Sequence, residues 1–308
     1  MAPARRLTAL GPRSNFLGLD RAFSEYERSK IILLPAPYEH SVSFGRGTRR
    51  GPSGIVKASR YVEFYDEELD RELCNDVGIA TLPPLSFGNR VDRTALDYLE
   101  RAVGSHLEAG KFVVTLGGEH TISSACIAAH LTLFPALSVI QFDAHSDLRD
   151  SYGGNRYSHA SVMARVCEVL DPRRLVQVGI RAQCREEAEY IEKRGIHTFY
   201  AHEIHDGTYA DSSERLQQTI LNSLTEQVYI TFDVDGLDPS IMPSTGTPEP
   251  NGLSWTEATG IIRMIGERRT IVGCDLVELA PVRGVPHADL TAAKLAYKMM
   301  NYAFLGKG

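Results

Sequence analysis

The run LSVIQFDAHSD at 137–147 is a short apolar stretch that ends abruptly in Asp143, His145 and Asp147. Val139, Ile140 and Phe142 suit a buried strand, and side chains two residues apart on extended backbone share one side, so two carboxylates and an imidazole converge. Asp and His also end strands and open turns, but three metal-type ligands in period two fit a binding site better than a turn. Two carboxylates held this close repel each other, and one would keep its proton unless a cation lay between them. The pattern returns after 228–232, where Asp233 and Asp235 repeat the spacing. Asp238, ahead of Pro239, reads as a turn-shaping residue outside the metal shell. His120 follows the strand-like run 112–116 and the tight turn allowed by Gly117 and Gly118, and Glu278 closes the run 271–277.

These residues need elements that bring strand ends to one edge. Short β-rich runs at 31–34, 77–80, 112–116, 139–142, 175–180, 228–232 and 271–277 alternate with helical patterns, the order that builds a mainly parallel sheet through βαβ crossovers. The helix from Asp92 carries Leu96, Leu99, Val103 and Leu107 on one face and stops at Gly110. Further helices are expected over 121–130, 161–170, 186–194 with Gly195 as its stop, 212–224, 254–268 with Ser254 and Glu257 as a capping box, and 290–304. The Gly- and Arg-rich loop 43–54 lacks phosphate-loop spacing; its arginines read as surface or subunit contacts, on a loop that borders the active edge. His159 stands before a helix in another such loop, whereas His197, His202 and His205 follow no metal spacing and read as surface or loop histidines. Arg149, two residues past a candidate ligand, is read as an outward-pointing surface arginine, with contact to the far end of a bound substrate as the alternative.

The 308 residues, 43% hydrophobic and 23% charged, suffice for one large core, read as a single domain over 31–308 behind an N-terminal arm at 1–30 that packs on a neighbour. A net charge of −6 with scattered Lys and Arg argues against nucleic acid or an anionic membrane as partner, and no stretch is apolar enough to span a bilayer. Five separated cysteines without a CxxC pair read as reduced thiols of a cytoplasmic protein.

His120, Asp143, His145, Asp147, Asp233 and Asp235 over-supply one ion. Four carboxylates balance two divalent cations, and the oxygen-rich, thiolate-free set suits Mn²⁺, without excluding Fe, Co, Ni or Zn. A water between two such ions falls from a pKa of about 15.7 towards ~7, so hydrolysis is the expected use. Peptidases, phosphoesterases, deacetylases and amidine hydrolases all employ such centres. Glu278, outside the six, would repel a phosphate and could pair with a planar guanidinium.

From about Ile31 onwards the chain resembles the ureohydrolase family of arginases and agmatinases, in GGEH (117–120), DAHSD (143–147), SHAS (158–161), FDVDGLDPS (232–240), TGTPE (245–249) and DLVELAP (275–281). The resemblance implies a three-layer α/β sandwich around an eight-stranded sheet, a dimanganese centre, a guanidino substrate and assembly into trimers or hexamers. Residue by residue, it implies that His120 and Asp147 serve one Mn²⁺, His145 and Asp235 the other, and that Asp143 and Asp233 bridge. Asp147 would also pass a proton to the leaving amine, His159 would carry a proton or touch substrate, Glu278 would hold the guanidinium and Thr247 would line the pocket. The implied reaction is agmatine to putrescine and urea, with a guanidino-acid hydrolase or an arginase as alternatives and a non-catalytic metal-binding relative as the reading from another class. The sequence departs from the family pattern at Glu119, where Asp is usual, at Ala160, where Gly is frequent, and at Met242 and Ser244. Glu119 is conservative in charge and is not read as a ligand.

Overall fold

Runs rich in Ile, Val and Leu on both parities of a strand require cover on both faces. In a computed structural model that describes residues 8–206, 208 and 213–305, they form eight strands: β1 (Ile31–Ala36), β2 (Ile79–Thr81), β3 (Phe112–Gly117), β4 (Ser138–Phe142), β5 (Leu175–Ile180), β6 (His197–Tyr200), β7 (Gln227–Asp233) and β8 (Thr270–Val277). Their order in one sheet is β2-β1-β3-β8-β7-β4-β5-β6, and every pairing is parallel. Alternate residues feed two cores. Ile31 and Leu33 join a cluster with the helices Trp255–Arg268 and Pro286–Ala303, while Ile32 and Leu34 join another with Asp92–Glu108 and Ser123–Leu133.

The chain lays β1 to β3 on one side and β4 to β6 on the other, then fills the gap with β7 and β8. The carboxyl ends of β3, β8, β7 and β4 therefore stand side by side, the position where open parallel sheets place ligands. Gly118 permits the close approach that seals this edge, since a Cβ there would lie 1.9 Å from the Tyr38 carbonyl oxygen.

Most expected elements form, with instructive shifts. The capping box at Ser254 is present, Ser254 N–H donating to Glu257 Oε2 at 2.8 Å and Glu257 N–H to Ser254 Oγ at 3.2 Å. β2 starts at Ile79 because Val77 ends the short helix Leu73–Val77 and Gly78 turns the chain at φ +70. The last helix starts at Pro286, whose ring suits a first turn, instead of at 290. The helix expected over 161–170 shortens to Val162–Val166, and the one expected over 212–224 is Ser213–Asn222, residue 212 lying outside the described residues. The edge strand β6 was not expected: it is short, and only Phe199 of its residues is buried. His197 lies on it, and His202 and His205 lie on the helix Ala201–His205 that follows; none of the three joins the groups of candidate ligands. Residues 8–30 differ from a free arm, because Phe16, Leu17 and Leu19 are buried in their own chain's core and Phe16 N–H donates to Thr81 Oγ1 at 2.9 Å. Residues 1–7 lie outside the described residues.

Candidate active site

The loops leaving β3, β4 and β7 bring the six candidate ligands together in two groups that share Asp143. In the first, His120 Nδ1 stands 3.0 Å from Asp143 Oδ2, 3.2 Å from Asp147 Oδ2 and 3.4 Å from Asp233 Oδ2. In the second, His145 Nδ1 stands 3.6 Å from Asp143 Oδ1 and 3.1 Å from Asp235 Oδ2. The two oxygens of Asp143 thus face different imidazoles. Asp233 Oδ2 faces the first group, and its Oδ1 turns to the second, accepting from Asp235 N–H at 2.9 Å. Within each group the ligand atoms lie close enough to hold an ion: His120, Asp143 and Asp147 in one, Asp143, His145 and Asp235 in the other.

Whether this set suits a cation is answered by His120. Its Nε2 meets Thr231 Oγ1 at 2.9 Å, and Thr231 Oγ1 is 2.7 Å from Asp275 Oδ1. A carboxylate only accepts, so Thr231 gives its one proton to Asp275 and must accept from His120 Nε2–H. With Nε2 protonated, Nδ1 is the nitrogen that faces the carboxylates, buried without an aligned hydrogen bond; burial opposes charge on the ring, yet Asp143, Asp147 and Asp233 raise it well above its ordinary range, so a proton or a cation must take the Nδ1 lone pair. An imidazole lone pair aimed into three carboxylates is the arrangement of a metal ligand, its far nitrogen held by an outer partner. The electrostatics agree. Burial opposes charge on His145, yet Asp235 and Asp143 push it up to about 12. Burial, then the Asp235 and Asp143 charges, raise Asp233 well above the ordinary carboxylate range. Burial and the Asp143 charge lift Asp147 to about 7. Even with both imidazoles protonated, four ionised carboxylates would leave the site short of positive charge.

Glu278 is buried and points into the same edge, Oε1 accepting from His120 N–H at 2.6 Å. Burial first, and the Glu119 charge next, raise it well above its usual range, and no Lys or Arg pairs with it among the described residues. A cleft of about 190 Å³ opens above, lined by Ser43, His145, Asp147, Arg149, Tyr152, His159, Ala160, Asp233, Thr247 and Glu278. Thr247 Oγ1 reaches Asp235 Oδ2 at 3.5 Å, the outer limit of a hydrogen bond. Asp238 shapes its turn as expected, accepting from Ser240 N–H at 3.0 Å and Gly252 N–H at 3.0 Å.

Arg149 is not the plain surface residue expected from sequence. It lines the cleft because Glu187 Oε2, 3.7 Å from its Nε, and the Tyr152 ring, 5.4 Å from its guanidinium carbon, hold it inward. Sequence reasoning also missed the supporting polar residues. Gln141 Nε2 donates to Asp143 Oδ2 at 2.7 Å, and Arg181 grips the carbonyls of Asp235 at 2.7 Å and Glu249 at 2.8 Å. Gln141 and Thr231 carried a legible signal: each is polar inside an apolar strand and shares the parity of the ligand that follows. Ser41, Ser43 and Arg181 lie on loops, where only tertiary contacts identify them.

Comparison with known proteins places this geometry among relatives. The family model described as Arginase family matches residues 29–301. An N(1)-aminopropylagmatine ureohydrolase of a Synechocystis species is 39% identical over 286 residues, 91% of each chain. An agmatinase of Bacillus subtilis is 35% identical over 287 residues, 92% of this chain and 93% of that one. Among solved structures, the agmatine ureohydrolase of Thermoplasma volcanium superposes with a TM-score of 0.83 at 29% identity, covering 92% of this chain and 94% of that one.

Proposed function

Because the chain belongs to the arginase family, we propose that it hydrolyses a linear guanidinoalkylamine, agmatine first among them, to urea and the free amine. The observation that carries this reading is the pair of His/Asp groups sharing Asp143, set beside a buried glutamate, Glu278, with which no Lys or Arg pairs among the described residues. His120 and Asp147 would hold one Mn²⁺, His145 and Asp235 the other, and Asp143 and Asp233 both. When bound, such a pair lowers the pKa of a shared water and supplies a nucleophile near neutral pH.

The chain's own residues account for the rest. Glu278 uses Oε1 on the His120 N–H and leaves Oε2 for the guanidinium, whose planar donors fix the orientation of its carbon. Water adds across the bond between that carbon and the alkyl nitrogen: the carbon keeps the oxygen as urea, and the nitrogen leaves with a proton. Asp147, which also lines the cleft, is the group placed to deliver that proton. His159 and Thr247 line the path to solvent.

A second reading concerns the far end of the substrate. Relatives named for N(1)-aminopropylagmatine reach 39% and 38% identity, against 34% and 35% for those named agmatinase. Arg149 faces that end, but Glu187 offsets its charge, so an ammonium is tolerated there. Urea release by Mn²⁺-loaded protein from agmatine, N(1)-aminopropylagmatine, guanidinobutyrate and arginine tests both readings through kcat/KM. Either amine is expected to lead. If guanidinobutyrate leads and Arg149→Ala reverses the order, the amine reading fails and a guanidino-acid hydrolase replaces it.

A further inference from the structure

Glu119 precedes His120, yet its side chain turns away from the candidate ligands. It is fully buried, and each of its partners is a donor. Oε2 accepts from His40 N–H and Ser41 N–H, both at 2.7 Å, and Oε1 accepts from Ser41 Oγ and Thr121 Oγ1, both at 2.9 Å. The carboxylate therefore fastens the loop after β1 to the end of β3. That loop meets His159. The His159 N–H donates to Ser41 Oγ at 2.9 Å, its ring Nδ1 lies 3.4 Å from the same oxygen, and its Nε2 lies 3.2 Å from Ser43 Oγ. Ser158 Oγ is farther from Nδ1, at 3.5 Å.

A serine hydroxyl has one proton, and Glu119, which only accepts, takes the one on Ser41. Ser41 Oγ can then meet His159 only as an acceptor, from the backbone N–H and from Nδ1–H. We propose that Glu119 is a positioning residue for His159: acting through Ser41, it fixes the imidazole over the cleft with the proton on Nδ1 and the Nε2 lone pair turned to the cleft, where Ser43 Oγ, 3.2 Å away, holds the place a substrate donor would take. The link runs from a side chain one residue from a candidate metal ligand to the opposite wall of the cleft. It rests on the reading of His159 as a substrate-facing group, but the state of the ring can be measured independently.

Glu119→Gln is the decisive variant because it keeps the shape and reverses one donor. With its oxygen on the His40 and Ser41 N–H groups, the Gln NH₂ must donate to Ser41 Oγ. Ser41 is then free to donate to His159 Nδ1, so the ring proton moves to Nε2. Full-length protein loaded with Zn²⁺, which is diamagnetic, and labelled with ¹⁵N-histidine reports the tautomer through ring nitrogen shifts, His159 being assigned by His159→Gln. The wild type is expected to show Nδ1–H, Glu119→Gln to show Nε2–H, and Glu119→Asp, which keeps the carboxylate, to show Nδ1–H again. Under Mn²⁺, Glu119→Gln is expected to lower kcat about 10- to 100-fold, with metal stoichiometry and Tm unchanged. Should Glu119→Gln fold poorly, Ser41→Ala leaves Glu119 in place and is expected to abolish the Nδ1–H preference. An Nε2–H ring in the wild type, or the same tautomer in wild type and Glu119→Gln, overturns the proposal. A tautomer change without loss of turnover upholds the effect on the ring but refutes the role of His159 at the substrate.

Discussion

Thr231→Val tests the argument that the fold aims His120 at a cation. The substitution keeps the branched shape of a buried β7 side chain and removes only the hydroxyl, which accepts from His120 Nε2 at 2.9 Å, donates to Asp275 Oδ1 at 2.7 Å and lies 3.1 Å from Ser123 Oγ. His120 is 1% exposed, so no water replaces the lost acceptor, and an unsatisfied buried N–H costs about 1 to 3 kcal/mol. Asp275 keeps Tyr229 O–H as a donor at 2.7 Å, which limits the damage on that side. At roughly 2.1 cal/mol/K per residue, a chain this long has an unfolding entropy near 650 cal/mol/K, so the expected fall in Tm is only about 1.5 to 5 °C.

The larger effect falls on metal binding. Without its outer partner the imidazole can rotate or shift its proton to Nδ1, and loss of such partners typically weakens metal affinity about 10- to 100-fold. Only the group of His120, Asp143 and Asp147 depends on Thr231, so a calorimetric titration of metal-free Thr231→Val with Mn²⁺ is expected to show one weakened and one nearly unchanged step. Equal weakening of both steps, or unchanged affinity with the expected small loss of Tm, would refute the assignment of Nδ1 as a ligand atom.

Three further outcomes follow from the same geometry. Glu278→Gln can still accept the His120 N–H but turns a donor towards the guanidinium; metal content should hold while kcat/KM drops about 10- to 100-fold, the loss of roughly 1.5 to 3 kcal/mol expected for a charge-assisted pair, and loss of metal would place Glu278 in the wrong role. His130 is buried against Tyr229 and donates from Nδ1 to the Cys126 carbonyl at 2.7 Å, and burial lowers it to about 4. Its native state refuses a proton that the unfolded chain accepts below about pH 6.5, so its contribution is fully present above that pH and is lost as pH falls towards 4, about 3 kcal/mol in all; between pH 6.5 and 5, urea unfolding of the wild type should lose about 2 kcal/mol more than His130→Asn, and parallel curves would contradict this. Chelation should abolish urea release and lower Tm while leaving the far-ultraviolet circular dichroism at 25 °C intact, because the two apolar clusters and not the metal form the core; collapse of the spectrum would show that folding depends on metal.

The sheet was legible because period and run length announce buried parallel strands, and the cluster of candidate ligands was legible because Asp143, His145, Asp147, Asp233 and Asp235 sit two apart where those strands stop. β6 was not, since an edge strand with one buried apolar residue has no periodic signature. The N-terminal segment misled for a related reason: Phe16, Leu17 and Leu19 are buried by contacts with residues far along the chain, and isolated apolar positions among Pro, Gly and Arg carry no period. Arg149 shows the limit at the site itself. Spacing puts it two residues beyond a ligand, but its direction is set by Glu187 and Tyr152, neither of which could be placed beside it from sequence.

Two site residues also take backbone conformations that sequence gives no warning of. Asp147 has φ +53 and Glu278 has φ +63, a region that costs a non-glycine residue on the order of 1 to 3 kcal/mol. Each is held there by hydrogen bonds from neighbouring elements. The Asp147 carbonyl accepts from Met163 N–H at 2.9 Å and Ala164 N–H at 3.2 Å, and Glu278 N–H donates to the Gly118 carbonyl at 2.8 Å. A glycine would relieve the strain but would remove the carboxylate that the position delivers. At Glu278 the left-handed turn comes directly after β8 and at Asp147 it lies in the loop after β4, and both carboxylates sit over the strand ends, where Asp147 meets His120 Nδ1 and Glu278 meets the His120 N–H. His120 is therefore approached by two strained residues, one on its ring and one on its backbone, while Thr231 fixes the ring from below. Strain is concentrated where the geometry must be held against local preference, and four adjacent parallel strands supply the rigidity to hold it.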